Sequence, residues 1–356
     1  MEINPLFMER CLQLARKGEG FTKPNPLVGA VVAHNNRIIG EGFHRKYGQV
    51  HAEVNALASV EEPWLLQEST LYVSLEPCSH HGKTPPCAEL IIAKKIPRVV
   101  VAVEDPNPRV AGRGIAMMRD NGIEVEVGIL EKEARDLNRM FFVNQLYKRP
   151  YILLKWAQSS DGFIDYTRMA GDGKRPVTIS NELTHTIVHK FRTEVQGIMV
   201  GTNTARLDNP QLTARKWFGN DPTRIVIDKD HTIPADAPLF DGTVPTIVFT
   251  ASVPPCTFAD NNVKYCEIDF SGDTNQQIID RLYDEKIYSL LIEGGAQLLS
   301  SFIDKQMWDE AYVEVAEKKL YSGVQAPPIK GDILGTRNFP GSIQFHLKSK
   351  ITRNFH

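Results

Sequence analysis

No stretch of this 356-residue chain approaches the roughly 18 consecutive apolar residues that a membrane-spanning helix requires, so no membrane span is expected. A basic surplus is missing as well. The 41 Lys and Arg stand against 43 Asp and Glu, a formal net charge of −2, which offers no general attraction to a phosphate backbone and makes nucleic acid an unexpected partner. Cysteine is scarce: five in all, an odd number for so long a chain, which excludes a disulfide framework and predicts a reducing, cytoplasmic setting where clustered thiols bind metal or do chemistry. The first twenty residues, MEINPLFMERCLQLARKGEG, break their apolar positions with Glu9, Arg10, Gln13, Arg16 and Lys17, a helix pattern and not a signal-peptide core. Internal repeats, low-complexity tracts and long charge runs are also absent. The second half has no G-x-G-x-x-G after a strand, so a dinucleotide site cannot be read from that motif.

A hydrophobic content of 42% and a charged content of 24% are those of a globular protein, and the length predicts two domains. Residues 1–147 alternate short helix and strand patterns: a helix over 5–17, a hairpin of VGAVVA and RIIGEGF joined at Asn35-Asn36, then a helix HAEVNALASV. Strand STLYVSLEP, helix CAELIIAKKI, strand RVVVAVEDPN, a helix near 113–121 and strand IEVEVGIL complete an α/β/α sandwich. A single helix is expected over 131–150, with Pro150 at the joint. Residues 148–356 form a second α/β block, with strands YILLKWA, QGIMVG, TRIVID, TIVFT and YSLLIEGG between helices near 181–193, 274–285 and 295–305.

The densest chemistry lies in PCSHHGKTPPC, residues 77–87. A predicted strand delivers Cys78 at its carboxyl end, where open α/β sheets carry their sites. Pro85 and Pro86 precede Cys87 at a helix start, where the positive helix end lowers a thiol pKa. Upstream, His51 and Glu53 open the helix HAEVNALASV. One imidazole and two thiolates make three zinc ligands, and a catalytic zinc keeps a fourth position for water, whose pKa falls to about 7. Glu53, near the metal and not a ligand, is then the group to take the water proton and pass it to a leaving amine. This H-x-E and P-C pairing marks zinc nucleobase deaminases. The competing reading is a closed structural site with His80 or His81 as fourth ligand; it gives Glu53 no task. Cys11, Cys256 and Cys266 read as inert thiols.

Zinc deaminases of nucleosides place two residues between their cysteines, and here eight intervene. With HAE, PCSHHGKTPPC, KPNPLVGAVV and VAVEDPNP, the chain resembles, over essentially its whole length, the bifunctional deaminase/reductases of riboflavin biosynthesis. The resemblance implies a cytidine-deaminase-like first domain and a dihydrofolate-reductase-like second domain. It also implies as substrate a diamino-ribosylamino-pyrimidinone bearing a ribose 5′-phosphate, which loses its ring amino group as ammonia. Asn25, His44, His80, Lys83, Asp105 and Asn107 fall in the matching motifs and are implied substrate contacts. For Asn25, Asp105 and Asn107, a turn-forming role is the plain alternative.

In the second block, YSLLIEGGAQLLSSF joins an apolar strand, two glycines and an amphipathic helix, a turn able to meet a pyrophosphate and also a common turn without ligand. The resemblance implies NADPH there. Its implied contacts are Ala157, Asp161, Val177, Thr204, Asp208, Gly294, Gly295, Ala296, Gln297, Leu298, Leu299, Ser300 and Ser301. The implied substrate contacts are Arg175, Arg192, Leu212, Arg215 and Glu293. The implied reaction opens the ribose at the carbon bonded to nitrogen and leaves a ribityl chain. Lys155, on an apolar strand face, is the candidate proton donor to the ring oxygen, with Glu293 its anionic partner if their strands are neighbours; snorkelling from a strand end is the alternative. The family pattern Ser-x-Trp-Ile is replaced by Arg175-Pro176-Val177-Thr178, so a tryptophan contact to the cofactor is missing. The resemblance further implies a homodimer built through the second domain. The residues alone leave open a deaminase of a nucleoside or of tRNA whose second domain is not catalytic, or an interaction module with a structural zinc.

Overall fold

The computed structural model describes residues 3–81, 85–108, 110–169, 175–254 and 262–350. It comprises two compact units, residues 1–148 and 149–356.

The first unit contains α1 (Pro5–Arg16), β1 (Gly29–His34), β2 (Arg37–Phe43), α2 (Ala52–Ala58), β3 (Thr70–Val73), α3 (Cys87–Ala93), β4 (Arg98–Val101), α4 (Arg113–Asp120), β5 (Glu124–Val127), α5 (Glu131–Leu137) and α6 (Arg139–Tyr147). Its five-stranded sheet runs β2-β1-β3-β4-β5, antiparallel around β1 and parallel from β3 to β5. Alternation sorts the strands: Ala30, Val32, Leu71, Val73, Val99, Val101 and Val125 bury against α2, α3 and α4 in one cluster. The hairpin turns at Asn35 and Asn36, both at positive φ, the conformation that asparagine tolerates and a two-residue hairpin loop demands. At Gly42 a Cβ would lie 2.4 Å from the Ala56 amide nitrogen, so only glycine lets α2 settle this close to β2.

Two expectations are corrected here. The strand expected over 69–77 leaves the ladder after Val73. Beyond it stands Glu76, whose buried carboxylate accepts from the backbone amides of Asp105, Gly112, Gly114 and Ile115 at 2.9 to 3.3 Å. The helix expected over 131–150 is broken at Asn138. There the backbone leaves helical geometry at φ −103° and ψ 21°, and the Asn138 side chain accepts from the Leu27 amide at 2.7 Å and donates to the Leu27 carbonyl at 2.9 Å.

The second unit contains β6 (Tyr151–Ser159), β7 (Phe163–Asp165), α7 (Glu182–Glu194), β8 (Gly197–Val200), α8 (Thr202–Asp208), β9 (Thr223–Ile227), β10 (Thr246–Thr250), β11 (Val263–Glu267), α9 (Thr274–Asp284), β12 (Ser289–Gly294), α10 (Ala296–Asp304), β13 (Glu310–Ala316), β14 (Val324–Gln325), β15 (Asp332–Phe339) and β16 (Ser342–Lys348). Its nine-stranded sheet runs β11-β10-β9-β8-β12-β6-β13-β16-β15, parallel as far as β13 and antiparallel beyond. Apolar clusters cover both faces, the pattern of a parallel sheet between helix layers. The expected strands and helices of this block are present, and β11, β13, β15 and β16 add to them. β13 escaped the hydrophobic pattern because EAYVEVA carries Glu310 and Glu314, both buried.

Candidate functional sites

In the first unit the loop after β3, the start of α2 and the start of α3 converge. His51 is the N-cap residue of α2 and makes no capping bond with its side chain, which leaves the ring free to turn toward the cysteines. Its Nδ1 lies 3.6 Å from Cys78 Sγ and 3.4 Å from Cys87 Sγ, and the three donor atoms fall within 4.8 Å of one another. Tetrahedral zinc, with bonds of about 2.3 Å to sulfur and about 2.0 Å to nitrogen, spaces its donors by roughly 3.5 to 3.8 Å, so this set fits the ion. Among the described residues no fourth His, Cys, Asp or Glu joins the cluster. His81 instead meets Glu89 at 3.0 Å on the surface.

Electrostatics favour a cation at this point. The hydrogen bond between the thiols pushes Cys78 down to about 4 and pushes Cys87 up, since one thiolate opposes the other. A divalent ion answers that repulsion. Glu53, in the first turn of α2 and only 3% exposed, is pushed up by burial and lies in hydrogen-bonding reach of Cys87.

A cavity of about 620 Å³ opens beside the triad, lined by Asn25, Arg45, Tyr47, Gln49, Asn55 and His80 together with His51 and Cys78. Asn25 Nδ2 meets His44 Nε2 at 3.2 Å, and the buried His44 ring stands edge-on to His51 at 5.7 Å. The Asn107 amide donates to Asp105 at 2.8 Å, and burial pushes the Asp105 carboxyl up. Lys83 and Cys256 lie outside the described residues. Glu76 was missed by sequence reasoning: its position just before Pro-Cys was the available signal, and its role, holding the 105–115 loop, depends on contacts far apart in sequence.

In the second unit a cleft of about 900 Å³ lies over the carboxyl ends of β6, β8 and β12. Lys155 and Ala157 on β6, Val177 before α7, Thr204 and Asp208 on α8, Glu293, and the turn from Gly294 through Leu299 with Ser301 line it. Gly294 has φ +152°, a region L side chains rarely adopt, and a Cβ on Gly295 would press within 3.0 Å of Thr204 Oγ1. Gly295 is also the N-cap of α10 with no side-chain cap, so first-turn amides face the cleft unclaimed by a capping side chain. A glycine cradle at a helix start suits the pyrophosphate of a nicotinamide dinucleotide.

Lys155 is 8% exposed, and β6 does lie beside β12, as the pairing with Glu293 required. Burial pushes its ammonium down, against the pull of Glu293 and Glu314. Glu293 is held bidentately by Arg192 at 2.8 and 2.6 Å; burial acts to raise this carboxyl, and the guanidinium overrides it, leaving it below the usual range. Arg192 also donates to the Thr213 carbonyl at 2.8 Å.

Other candidates stand apart. Asp161, Arg175, Arg192, Leu212, Arg215 and Ser300 are not among the described residues that line the cleft. The Asp161 carboxylate accepts from Ser159 Oγ at 2.6 Å and from the amides of Leu320 and Tyr321, which hold it at about 2. Leu212 is buried in an apolar cluster. Arg215 is exposed and donates to Thr213 Oγ1 at 3.2 Å, and Arg175 is exposed. Asp208 is paired with Arg168, which also pairs with Asp165, whose other oxygen accepts from the Val177 amide at 3.0 Å. His185, Ser180 and Asn275 line the cleft too, without a sequence motif to announce them.

Residues 1–103 match the family model of the cytidine and deoxycytidylate deaminase zinc-binding region, and residues 150–320 match that of the RibD C-terminal domain. The curated riboflavin biosynthesis protein RibD of Aquifex aeolicus is 38% identical over 349 residues, 98% of this chain and 95% of the relative. That of Bacillus amyloliquefaciens is 40% identical, over 91% of this chain and 86% of its own. A crystal structure of a Thermotoga maritima diaminohydroxyphosphoribosylaminopyrimidine deaminase/5-amino-6-(5-phosphoribosylamino)uracil reductase superposes with TM-score 0.86 at 35% identity, covering 97% of this chain and 98% of that one. Acinetobacter baumannii RibD superposes with the same TM-score at 33% identity, over the same shares.

Proposed function

The chain belongs to the RibD family of bifunctional deaminase/reductases of riboflavin biosynthesis, and from this premise we propose how its residues divide the two reactions. Residues 1–147 hydrolyse the ring amino group of 2,5-diamino-6-ribosylamino-4(3H)-pyrimidinone 5′-phosphate, and residues 148–356 then reduce the ribosyl side chain to ribityl. The observation that carries the first assignment is the three-donor cluster beside a buried glutamate and an open cavity.

His51, Cys78 and Cys87 are the zinc ligands. When bound, zinc lowers the pKa of a coordinated water to about 7. The Glu53 carboxylate takes a proton from the attacking water and delivers it to the departing amine, and its burial keeps bulk water from competing for that proton. Asn25, with its orientation set by His44, contacts the pyrimidine, together with His80, Asp105 and Asn107; by the family resemblance the cationic Lys83 is assigned to the substrate as well.

In the second unit Lys155 gives its proton to the departing ring oxygen, and Glu293 receives the sugar hydroxyls from the position in which Arg192 holds it. The nicotinamide supplies the hydride, and NADPH is the cofactor we assign. Ala157, Val177, Thr204, Asp208 and the segment from Gly294 to Ser301 bind it, while Arg192 and Arg215 serve the substrate phosphate with Leu212 behind them. The test supplies the purified protein with the phosphorylated pyrimidinone and NADPH, NADH or neither. Ammonia is expected in all three, and loss of cofactor absorbance fastest with NADPH. Ammonia release with neither cofactor consumed would favour a deaminase whose second domain is not catalytic.

We assign both activities to the cytoplasm, where Cys78 and Cys87 stay reduced, and to a homodimer. β15 is an edge strand whose Ile333 and Leu334 are 62% and 53% exposed, a liability that a second copy would cover. Changing both to lysine is expected to halve the mass in analytical ultracentrifugation; an unchanged mass would refute this interface.

A further inference from the structure

Strand order sets Lys155 between two acidic side chains. β6 lies between β12 and β13, and all three are parallel. Ile292 pairs with Leu154, which carries Glu293 beside Lys155 on one side; Tyr312 pairs with Lys155 and Glu314 with Ala157 on the other. Paired residues of neighbouring strands leave the same face of a sheet, and residues two apart along a strand share it. Glu293, Lys155, Tyr312 and Glu314 therefore project together.

The two acids are not equivalent. Glu293 has its counter-ion in Arg192, which grips both oxygens. Glu314 is 0% exposed and accepts from neutral hydroxyls: Ser180 Oγ donates to Oε2 at 2.6 Å and Ser342 Oγ to Oε1 at 2.9 Å. A fully buried carboxylate is costly without a cation in its surroundings. Counting Arg192, Glu293, Lys155 and Glu314 together makes the site neutral, with Lys155 left to balance Glu314.

We propose that Glu314 is a positioning residue of the reductase, fixed by Ser180 and Ser342 so that its charge keeps Lys155 protonated at the cleft. This rests on the reading of Lys155 as proton donor. Around Lys155 stand Glu293 from β12, Tyr312 and Glu314 from β13, and His185 and Arg192 from α7, while His189 of α7 senses Arg192, Arg215, Lys216 and Glu293; His346 of β16 stacks on Tyr312 at 4.3 Å. Burial pushes both His185 and His189 down, the latter to about 4, so at neutral pH Arg192 is the cation that opposes Lys155. The sign follows. Removing the Glu314 charge disfavours the ammonium, lowers the Lys155 pKa and empties the donor at a lower pH.

The experiment measures reductase kcat/KM against pH in the full chain, with the deaminated intermediate and NADPH. Glu314→Gln keeps the volume and removes the charge. Its alkaline limb is expected at least about one pH unit below that of the natural sequence. The acid limb and ammonia release from the first unit are unmoved. Glu314→Asp, which retains the charge, is expected to restore the limb. Should Glu314→Gln fold poorly, Ser180→Ala combined with Ser342→Ala tests the same point, because it removes the two hydroxyls that hold the Glu314 carboxyl in place near Lys155. A profile superimposable on that of the natural sequence, while Lys155→Met abolishes reduction, overturns the role of Glu314. Reduction that survives Lys155→Met overturns the donor assignment and the Glu314 role with it.

Discussion

Glu53→Gln abolishes ammonia release, by at least about 10³-fold, while zinc content and NADPH-dependent reduction of the deaminated intermediate stay at their original level. The amide matches the carboxyl in size, and Glu53 is not one of the three donors, so the cluster of His51, Cys78 and Cys87 keeps its geometry. What the amide cannot do is accept a proton from water and surrender it to nitrogen. Metal analysis together with separate assays of the two half-reactions checks this. Loss of zinc in parallel with activity would move Glu53 from proton carrier to structural support, and full activity would remove it from the chemistry.

Lys155→Met is expected to cost reduction at least about 10²-fold with ammonia release intact. The side chain sits 8% exposed on a buried strand, and methionine fills nearly the same space without charge. Lys155→Arg sharpens the test. Arginine keeps the positive charge but does not give up its proton near neutral pH, so it too is expected to fail if donation is the task, and to succeed if charge alone suffices. Reduction timed by cofactor absorbance, with the deaminated intermediate supplied directly, separates this effect from the first half-reaction.

The cluster of His51, Cys78 and Cys87 was legible because its donors announce themselves over short distances. His51 and Glu53 stand two apart at a helix start, Cys78 follows a strand, and Cys87 follows two prolines, so local propensity already points the donors. The hairpin at Asn35-Asn36 was legible for the same reason: the turn needs two residues at positive φ, and asparagine is among the few that accept it. Asn138 shows the limit. Its flanks read as one helix, and the side chain at the break pairs with Leu27, 111 residues away. Arg192 was implied at the phosphate by the resemblance; that its guanidinium, on α7, also grips Glu293 of β12, 101 residues away, was not legible in the sequence.

The reductase cleft marks the division most sharply. Side-chain chemistry and local pattern along the chain were enough for two α/β blocks, a His-Cys-Cys centre with a spare glutamate, and a glycine turn before α10. The place of β13 beside β6, and with it the buried carboxyl group of Glu314 near Lys155, came from tertiary packing. An acidic residue in EAYVEVA reads as solvent-facing until the sheet encloses it, since a carboxylate becomes tolerable indoors only when hydroxyls and a neighbouring cation, brought from distant segments, replace the water it gave up.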